Sequence, residues 1–579
     1  MDKIKLTIDG VAAEVDAGST VLEAARSVGI RIPSLCYLKG VNEIGACRMC
    51  VVDVGGRALQ AACVLPVTPN MVVKTNTADI RSARKANLEL LLSTHDKKCL
   101  SCARSQNCEL QQLCRELGVE DGDRFAGDRI EYEVDDLSAS IVRDNNKCIV
   151  CRRCVATCGK VQNVSVIGPV GRGFKTKIAS PWGKSLSETA CINCGQCIIA
   201  CPVGALREKD ETDKVWEYLA DPQKHVVVQP APAVRVAIGE EFGMPMGSRV
   251  TGKLAAALRR IGFDRVFDTD FAADLTIMEE ATEFLHRVNS GGVLPMITSC
   301  SPGWVKYMET FYPEFIPNVS TCKSPHMMAG AMIKSYYAKK AGIDPKDIAV
   351  VSVMPCTAKK FEAKRSEMNA TGYPDVDAVI TTRELARMLK EAGVEFEKLP
   401  DEDFDPLMGE STGAGAIFGA TGGVMEAALR TAYEKITGKT LEQVEFQSVR
   451  GLVGIKEATI HIGELDVNVA VAHSTGMASK LLDMVKSGEK QLHFIEIMGC
   501  PGGCVNGGGQ PIVSSWVRSQ VNPAQVRAKG LYDEDEAKTF RKSHENPEII
   551  QIYEEFLGEP DGHLSHELLH THYHARDRY

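Results

Sequence analysis

The sequence predicts a multidomain chain in which small, cysteine-rich α+β units precede one large α/β unit. Two observations carry this. Of the 21 cysteines, sixteen lie before residue 202 and recur at short spacings. From Val226 the composition changes to short apolar strands, "VVVQPAPAVRVAIG", "VLPMITSC" and "IAVVSVMPC", separated by helical segments such as "TGKLAAALRRIG". Strands that alternate with helices read as parallel sheets. With 579 residues there is room for several domains and at least one large core.

The balance of 44% apolar and 25% charged residues is that of a soluble globular protein, and the net charge of −9 argues against a nucleic-acid partner. The first residues lack the basic start and apolar run of a signal peptide. No apolar run reaches the length of a membrane span. A cytoplasmic location is therefore expected. Disulfides are rare in a reducing compartment, so metal binding is the leading use of the cysteines.

Residues 1–78 read as a small α+β unit. "KLTID" and "AAEVD" alternate as strands around a "DG" turn, and "STVLEAARSVG" follows as a capped helix that stops at Gly29. Within it, Cys36, Cys47, Cys50 and Cys63 have the spacing C-x10-C-x2-C-x12-C. Plant-type ferredoxins use C-x4-C-x2-C with a distant fourth cysteine, so this is a [2Fe–2S] pattern with a longer first loop. A zinc site of the same ligands is the competing reading.

Residues 79–118 open with helical spacing through "RSARKANLELLLSTH" and then carry His95, Cys99, Cys102 and Cys108. Alone, this set suits either a Cys3His zinc site or a cubane with one imidazole ligand; its position between two iron–sulfur signals favours the cubane. Cys114 is left over and reads as a structural thiol. An acidic connector leads to residues 138–210. There Cys148, Cys151, Cys154 and Cys158 follow C-x2-C-x2-C-x3-C, and Cys191, Cys194, Cys197 and Cys201 repeat it before Pro202. In two-cluster bacterial ferredoxins each fourth cysteine ligates the other cluster. One cubane is thus expected on Cys148, Cys151, Cys154 and Cys201, the other on Cys158, Cys191, Cys194 and Cys197.

Three segments of the α/β half stand together: "TSCSPGW" (298–304), "MPCTAKKFE" (354–362) and "EIMGCPGGCVNGGGQP" (496–511). At these residues the sequence resembles the catalytic domain of [FeFe]-hydrogenases. With the cysteine-rich array in this order it resembles the large modular members, including subunits of NAD(P)-linked, electron-bifurcating complexes. The fold class implied is N-terminal α+β ferredoxin-like iron–sulfur domains followed by a two-lobed α/β hydrogenase domain over residues 225–515. Residues 516–579 resemble the small subunit of two-chain members. The tail holds His563, His566, His570, His572 and His574; an ordered helical wrap is the reading the resemblance favours, with a metal site as the alternative.

The resemblance implies an H-cluster, a cubane joined through a cysteine sulfur to a di-iron unit bearing CO, CN⁻ and an azadithiolate. Its cubane ligands would be Cys356, Cys500 and Cys504, with Cys504 as the bridge. One [2Fe–2S] and three [4Fe–4S] clusters would complete the cofactors. The family's first motif usually has two adjacent cysteines, a proton relay and then the fourth cubane ligand; here the pair is Cys300 and Ser301. A serine alkoxide is harder and more basic than a thiolate and suits such clusters less well. Ser301 ligating weakly, a shifted loop in which Cys300 ligates, and a non-protein ligand are all open.

The same resemblance makes Lys359 a donor to a cyanide. Met354 and Met498 become packing residues on the di-iron unit, and Ala231 and Pro232 backbone contacts near the other cyanide. His326 stands where glutamine is common. Glu280, Glu283, Ser320 and Arg287 would carry protons from Cys300 to solvent; Glu280 and Glu283 share a helix face at i, i+3, and Arg287 extends it. Gly502, Gly503, Gly507, Gly508 and Gly509 are expected to adopt positive φ and let backbone approach the cofactor. The activity implied is reversible H2 oxidation and proton reduction. The partners implied are ferredoxin, flavin- and NAD(P)-binding diaphorase subunits and hydrogenase maturation proteins. An electron-transfer subunit or an H2 sensor of low activity is the alternative. The chain has no dinucleotide fingerprint, so a nicotinamide site would lie on a partner.

Overall fold

The computed structural model describes residues 3–463 and 465–578. Met1, Asp2 and Tyr579, the ends of the first and last expected domains, lie outside the described residues. Near the amino end, strands Lys3–Ile8 and Val11–Asp16 pair antiparallel, and Val72–Val73 joins the first in parallel. The turn between them uses left-handed Asp9 and Gly10 (φ 48° and 85°), the pair that a tight hairpin demands. Leu6, Ile8, Ala13 and Val15 point to one buried face, as period-two alternation requires. Helix Val21–Ser27 packs on this face behind a Thr20–Glu23 capping box. The long helix Ala78–Thr94 then leads directly into His95.

The unit around 138–210 is a doubled motif. Strands Ile141–Arg143 and Leu206–Glu208 pair antiparallel, and each C-x2-C-x2-C run enters a short helix, Arg153–Ala156 or Gln196–Ala200. The loops match in backbone as well as in sequence. Val150 and Arg152 (φ 53° and 62°) in the first run occupy the same places as Asn193 and Gly195 (58° and 68°) in the second. A β-branched residue is rarely left-handed. At Val150 the conformation turns the amide toward the Cys148 sulfur, 3.4 Å away.

Two four-stranded sheets form the large unit. The first runs in the order Arg265–Val266, His225–Pro230, Ile348–Met354, Ala378–Thr381, all parallel. The second runs Met296–Ile297, Phe494–Met498, Leu465–His473, Ile455–Ile462, parallel except for its last pair. Their central strands are buried on both faces, which accounts for their continuous apolar runs. Between the lobes lies the 22-residue helix Thr269–Ser290, which starts at an Asp268 cap and stops at left-handed Gly291. No described helix is long and apolar enough to cross a membrane.

A continuous apolar core joins Leu88 and Ile198 of the cysteine-rich units to Trp304 and Ile495 of the large one. Polar contacts fix the register of this junction: Thr357 Oγ1 donates to the Asn193 carbonyl (2.7 Å), Gln196 Nε2 to that of Asn506 (2.8 Å), and Gln162 Nε2 to that of Gly499 (2.8 Å). After Pro511 the chain wraps the large unit with helices Pro523–Ala537 and His563–Leu569. The first is held by Asp535, paired with the fully buried Arg430.

Gly508 sits where the two units touch most closely. A Cβ there would meet the Cys194 carbonyl oxygen at 2.4 Å and the Gly195 Cα at 2.7 Å. Gly508→Ala is therefore expected to lower stability by about 1–3 kcal/mol, as overpacking of a close backbone contact does. Chemical denaturation under anaerobic conditions measures this; an unchanged midpoint would show the contact to be slack.

Candidate active site

The sixteen cysteines before residue 202 fall into groups, and all 21 cysteines are free of disulfides. The Cys36 sulfur lies against those of Cys47 and Cys63, and Cys50 against Cys63. Cys148, Cys151, Cys154 and Cys201 line one cavity. Cys158, Cys191, Cys194 and Cys197 are mutual neighbours in a second group. Each fourth cysteine thus crosses to the other run. His95 is buried and its Nδ1 has no hydrogen-bond partner, an orphan that suits a metal ligand. Burial, the dominant influence, lowers its pKa to about 4 and keeps the imidazole neutral. Cys108 lies beside Cys102, and Cys114, read from the sequence as a structural thiol, lies beside Cys108 and Cys99.

These groups touch in sequence. Asn42 Nδ2 donates to the carbonyls of Cys36 (2.7 Å) and Cys151 (3.0 Å). Arg104 donates to the Cys201 carbonyl (2.9 Å), and Gly204 packs on the Cys102 sulfur. The group with Cys194 adjoins Cys500, and Cys500 adjoins Cys356 and Cys504.

At the large unit the carboxyl ends of four strands converge. Pro230 leads to Ala231 and Pro232, Ile297 to Cys300, Met354 to Cys356, and Met498 to Cys500. Ligands bind beyond such strand ends in parallel sheets. Cys300, Cys356, Cys504, Lys359, His326, Met354 and Met498 line one largely apolar cavity with Ala231 and Pro232. The geometry separates the two residues of the "CS" pair. Cys300 faces this cavity, whereas Ser301 Oγ accepts from the Gly499 amide at 3.0 Å, on the Cys500 side.

Lys359 Nζ donates to Glu362 Oε2 (2.9 Å) and to the Cys300 carbonyl (3.1 Å), and His326 Nε2 lies 2.8 Å from the same Glu362 oxygen. Burial opposes ionisation of Glu362, but Lys359 and His326 outweigh it and bring its pKa to about 2. His326 is held neutral at about 4, by burial first and by the Lys359 charge second. The cavity therefore contains a fixed ammonium whose counterion sits behind it. Glu362 was not singled out from sequence, although its i, i+3 spacing from Lys359 could have revealed it.

The glycine loop differs from expectation. Gly502 and Gly503 are left-handed (φ 85° and 96°), but Gly507, Gly508 and Gly509 are not. Those three are needed for space: a Cβ on Gly507 would meet the Pro355 carbonyl oxygen at 2.1 Å, and one on Gly509 the Thr381 side chain at 2.8 Å.

A polar line leaves Cys300. Burial, then Glu280 and Cys504, raise the Cys300 pKa well above the ordinary thiol value. Glu280 is fully buried, and neither oxygen has a well-aligned hydrogen-bond partner; the Ser299 backbone and Ser320 hydroxyl are its polar neighbours. Burial first, and the neighbouring Glu283 second, raise its pKa to about 8. Ser320 Oγ donates to Glu283 Oε2 (2.8 Å), and Arg287 donates to Glu283 Oε1 (2.5 Å) at the edge of the protein. Two neighbours of this line escaped sequence reasoning. Buried Cys322 lies 3.9 Å from Glu283, and His570 arrives from the tail. Only tertiary pairing brings them there.

Comparison with known proteins agrees with this geometry. Residues 224–508 match the family described as "Iron only hydrogenase large subunit, C-terminal domain", and 521–576 match "Iron hydrogenase small subunit". Residues 1–78 match a 2Fe-2S iron–sulfur cluster binding domain, 84–123 the NADH-ubiquinone oxidoreductase-G iron–sulfur binding region, and 138–207 the ferredoxin-like domain of NADH-quinone oxidoreductase subunit 3. The NADP-reducing hydrogenase subunit HndD of Solidesulfovibrio fructosivorans is 51% identical across the whole of both chains. Iron hydrogenase 1 of Clostridium pasteurianum is 46% identical over 98% of this chain and 99% of its own. The [FeFe]-hydrogenase HydA1 of Chlamydomonas reinhardtii superposes with a TM-score of 0.57 at 46% identity, over 64% of this chain and all of that one.

Because the folded-state pKa of Glu280 lies above the ordinary carboxylate value, its contribution to stability is complete below that value and is lost as pH rises through about 8. A protonated-carboxyl infrared band that titrates near pH 8 is expected, absent from Glu280→Gln. The variant should also lose stability less steeply between mildly acidic pH and pH 8. A band that titrates in the ordinary carboxylate range would show Glu280 to be hydrated.

Proposed function

We propose that this chain, which belongs to the iron-only hydrogenase family, interconverts dihydrogen with two protons and two electrons at an H-cluster between its two lobes. The observation that supports this best is the convergence of strand ends that gathers Cys356, Cys500 and Cys504 beside the Cys194 group. Those three thiols would hold the cubane, with Cys356 and Cys504 lining the cavity beside Cys300 and Lys359. When bound, that cofactor supplies the metal site for heterolytic cleavage or formation of the H–H bond.

The chain's own residues do the rest. Lys359 offers its ammonium to the cofactor's anionic ligands, and Glu362 keeps it in place. Met354 and Met498 exclude water from the cavity, and Ala231 and Pro232 close its wall. Cys300 holds a proton at Sγ, and the proton passes by way of Glu280, Ser320 and Glu283 to Arg287. Ser301 has its hydroxyl committed to the Gly499 amide and acts as a polar corner rather than a thiolate substitute.

Cys158, Cys191, Cys194 and Cys197 would hold one cubane and Cys148, Cys151, Cys154 and Cys201 another. Cys36, Cys47, Cys50 and Cys63 would hold a [2Fe–2S] cluster and His95, Cys99, Cys102 and Cys108 a further cubane, and together these would supply a path for electrons. The full-length likeness to an NADP-reducing hydrogenase subunit supports diaphorase subunits that bind flavin and NAD(P) as partners, with ferredoxin as a second carrier. Ser301, a poor iron ligand, favours a second reading in which the chain senses H2 or transfers electrons at low turnover.

Anaerobic expression with the maturation machinery tests both. The first reading expects CO and CN⁻ infrared bands together with H2 turnover. Cys300→Ala should keep the bands and lose about 10²-fold or more in turnover. Bands without turnover would favour the sensor, and properly matured protein without bands would remove the H-cluster. Ser301→Cys should leave the bands in place, and unchanged bands would show that Ser301 is not a ligand.

A further inference from the structure

We propose that the C-terminal tail supplies a second proton exit, which leaves Glu283 through His570 and reaches solvent at His566 and His286. The proposal rests on the proton line from Cys300 to Glu283 given above. It goes beyond that line by assigning residues that the Arg287 route does not use.

The tail is stitched to the strand-end segment by backbone. Lys323 N donates to the Leu569 carbonyl (2.8 Å) and Thr571 N to that of Thr321 (2.7 Å), around a bridge between Cys322 and His570. This holds the His570 ring with both nitrogens engaged: Nδ1 lies 2.7 Å from Thr321 Oγ1 and Nε2 3.2 Å from Glu279 Oε2. Glu283, Cys322 and His570, all buried, each present a donor or acceptor atom within 4.8 Å of the others. One water, or the Cys322 thiol, spans such a gap.

Beyond His570 the line continues. Glu279 is fully buried and gathers Ser565 Oγ (2.9 Å), the Asp561 amide (2.7 Å) and the Tyr553 hydroxyl, with Lys435 facing it. Asp561 reaches His566 Nε2 and His286 Nδ1, both at 2.5 Å. The His566 ring stacks on His570 with centroids 4.1 Å apart. Asp561, His566 and His570 again lie within 4.8 Å of one another. The side chains of His566 and His286 are 52% and 64% exposed, so the line ends in water.

The proton balance is simple. Glu283 gives its proton to His570, and the imidazolium forms next to the Glu279 carboxylate, which stabilises it. The proton then passes from His570 to the Asp561 carboxylate, which lies within 4.8 Å of the ring, and from there to His566 or His286 and into bulk water. His570 returns neutral, and no oxidant or further reactant is needed.

Parallel exits have a kinetic signature that a structural role lacks: each single block is mild and the double block is severe. The test uses matured holoenzyme with Arg287→Met, His570→Gln and both. Glutamine keeps partners for Thr321 and Glu279 but cannot relay. Two readouts are taken. One is H2 turnover; the other is the rate at which the protonated Glu280 carboxyl band shifts after mixing with D2O, which needs no turnover. Each single variant should slow exchange by less than about threefold, and the double by about tenfold or more. Imidazole should restore exchange in Arg287→Met/His570→Ala. A double variant no slower than Arg287→Met alone, or no rescue by imidazole with the cluster spectra intact, would overturn the branch. If the exchange pattern holds while H2 turnover is absent, the branch stands and the catalytic reading fails instead.

Discussion

Burial of thiols is the constraint on which the rest of this structure depends. A thiolate in an apolar interior is costly, and desolvation raises the pKa of Cys154, Cys197, Cys300 and Cys500 well above the ordinary thiol value. Crowding reinforces the effect around Cys154 and Cys197, where neighbouring sulfurs raise it further. Burial holds these thiols in their neutral form. Iron–sulfur binding replaces the lost protons and ties several loops to one centre, so cluster loading and folding of the cysteine-rich units are thermodynamically linked. The left-handed Val150 belongs to the same account: a strained residue persists where a bound group holds its loop.

The cysteine groupings were legible in the sequence because their ligands are nearly contiguous. The crossed placement of Cys158 and Cys201 follows from a spacing rule, and the structure sets Cys158 beside Cys191 and Cys201 with Cys148, Cys151 and Cys154. The strands that end at Cys356 and Cys500 were legible too, since continuous apolar runs flank them. The Glu280–Glu283–Arg287 face followed from helical periodicity. Other features lay outside its reach. Whether Cys300 or Ser301 faces the cavity depends on how one strand end meets Gly499, which no local pattern encodes. Cys322 and His570 are 248 residues apart, from 570 − 322, and meet only through the tail's pairing. The glycines at 507–509 were assigned a backbone role, but their task is to admit neighbouring chain.

The arrangement separates two kinds of traffic. The cysteine groups approach the cavity from the Cys194 side through backbone contacts, and the titratable residues leave it from the Cys300 side along one helix. Lys359 and Glu362 stand at the boundary as a neutral pair, so the fixed charge in the cavity adds little net field to either direction. The same economy governs Arg430 and Asp535, which bind the wrapping helix to the second lobe without leaving an isolated charge inside.

The thiol group of Cys148, Cys151, Cys154 and Cys201 adjoins three others: through Asn42, through Arg104 and Gly204, and through Cys197, which neighbours Cys154 and Cys201. It is a junction rather than a link in a line. Clusters held in these groups would meet at a branch point, with the Asn42 side and the Arg104 side as separate terminals.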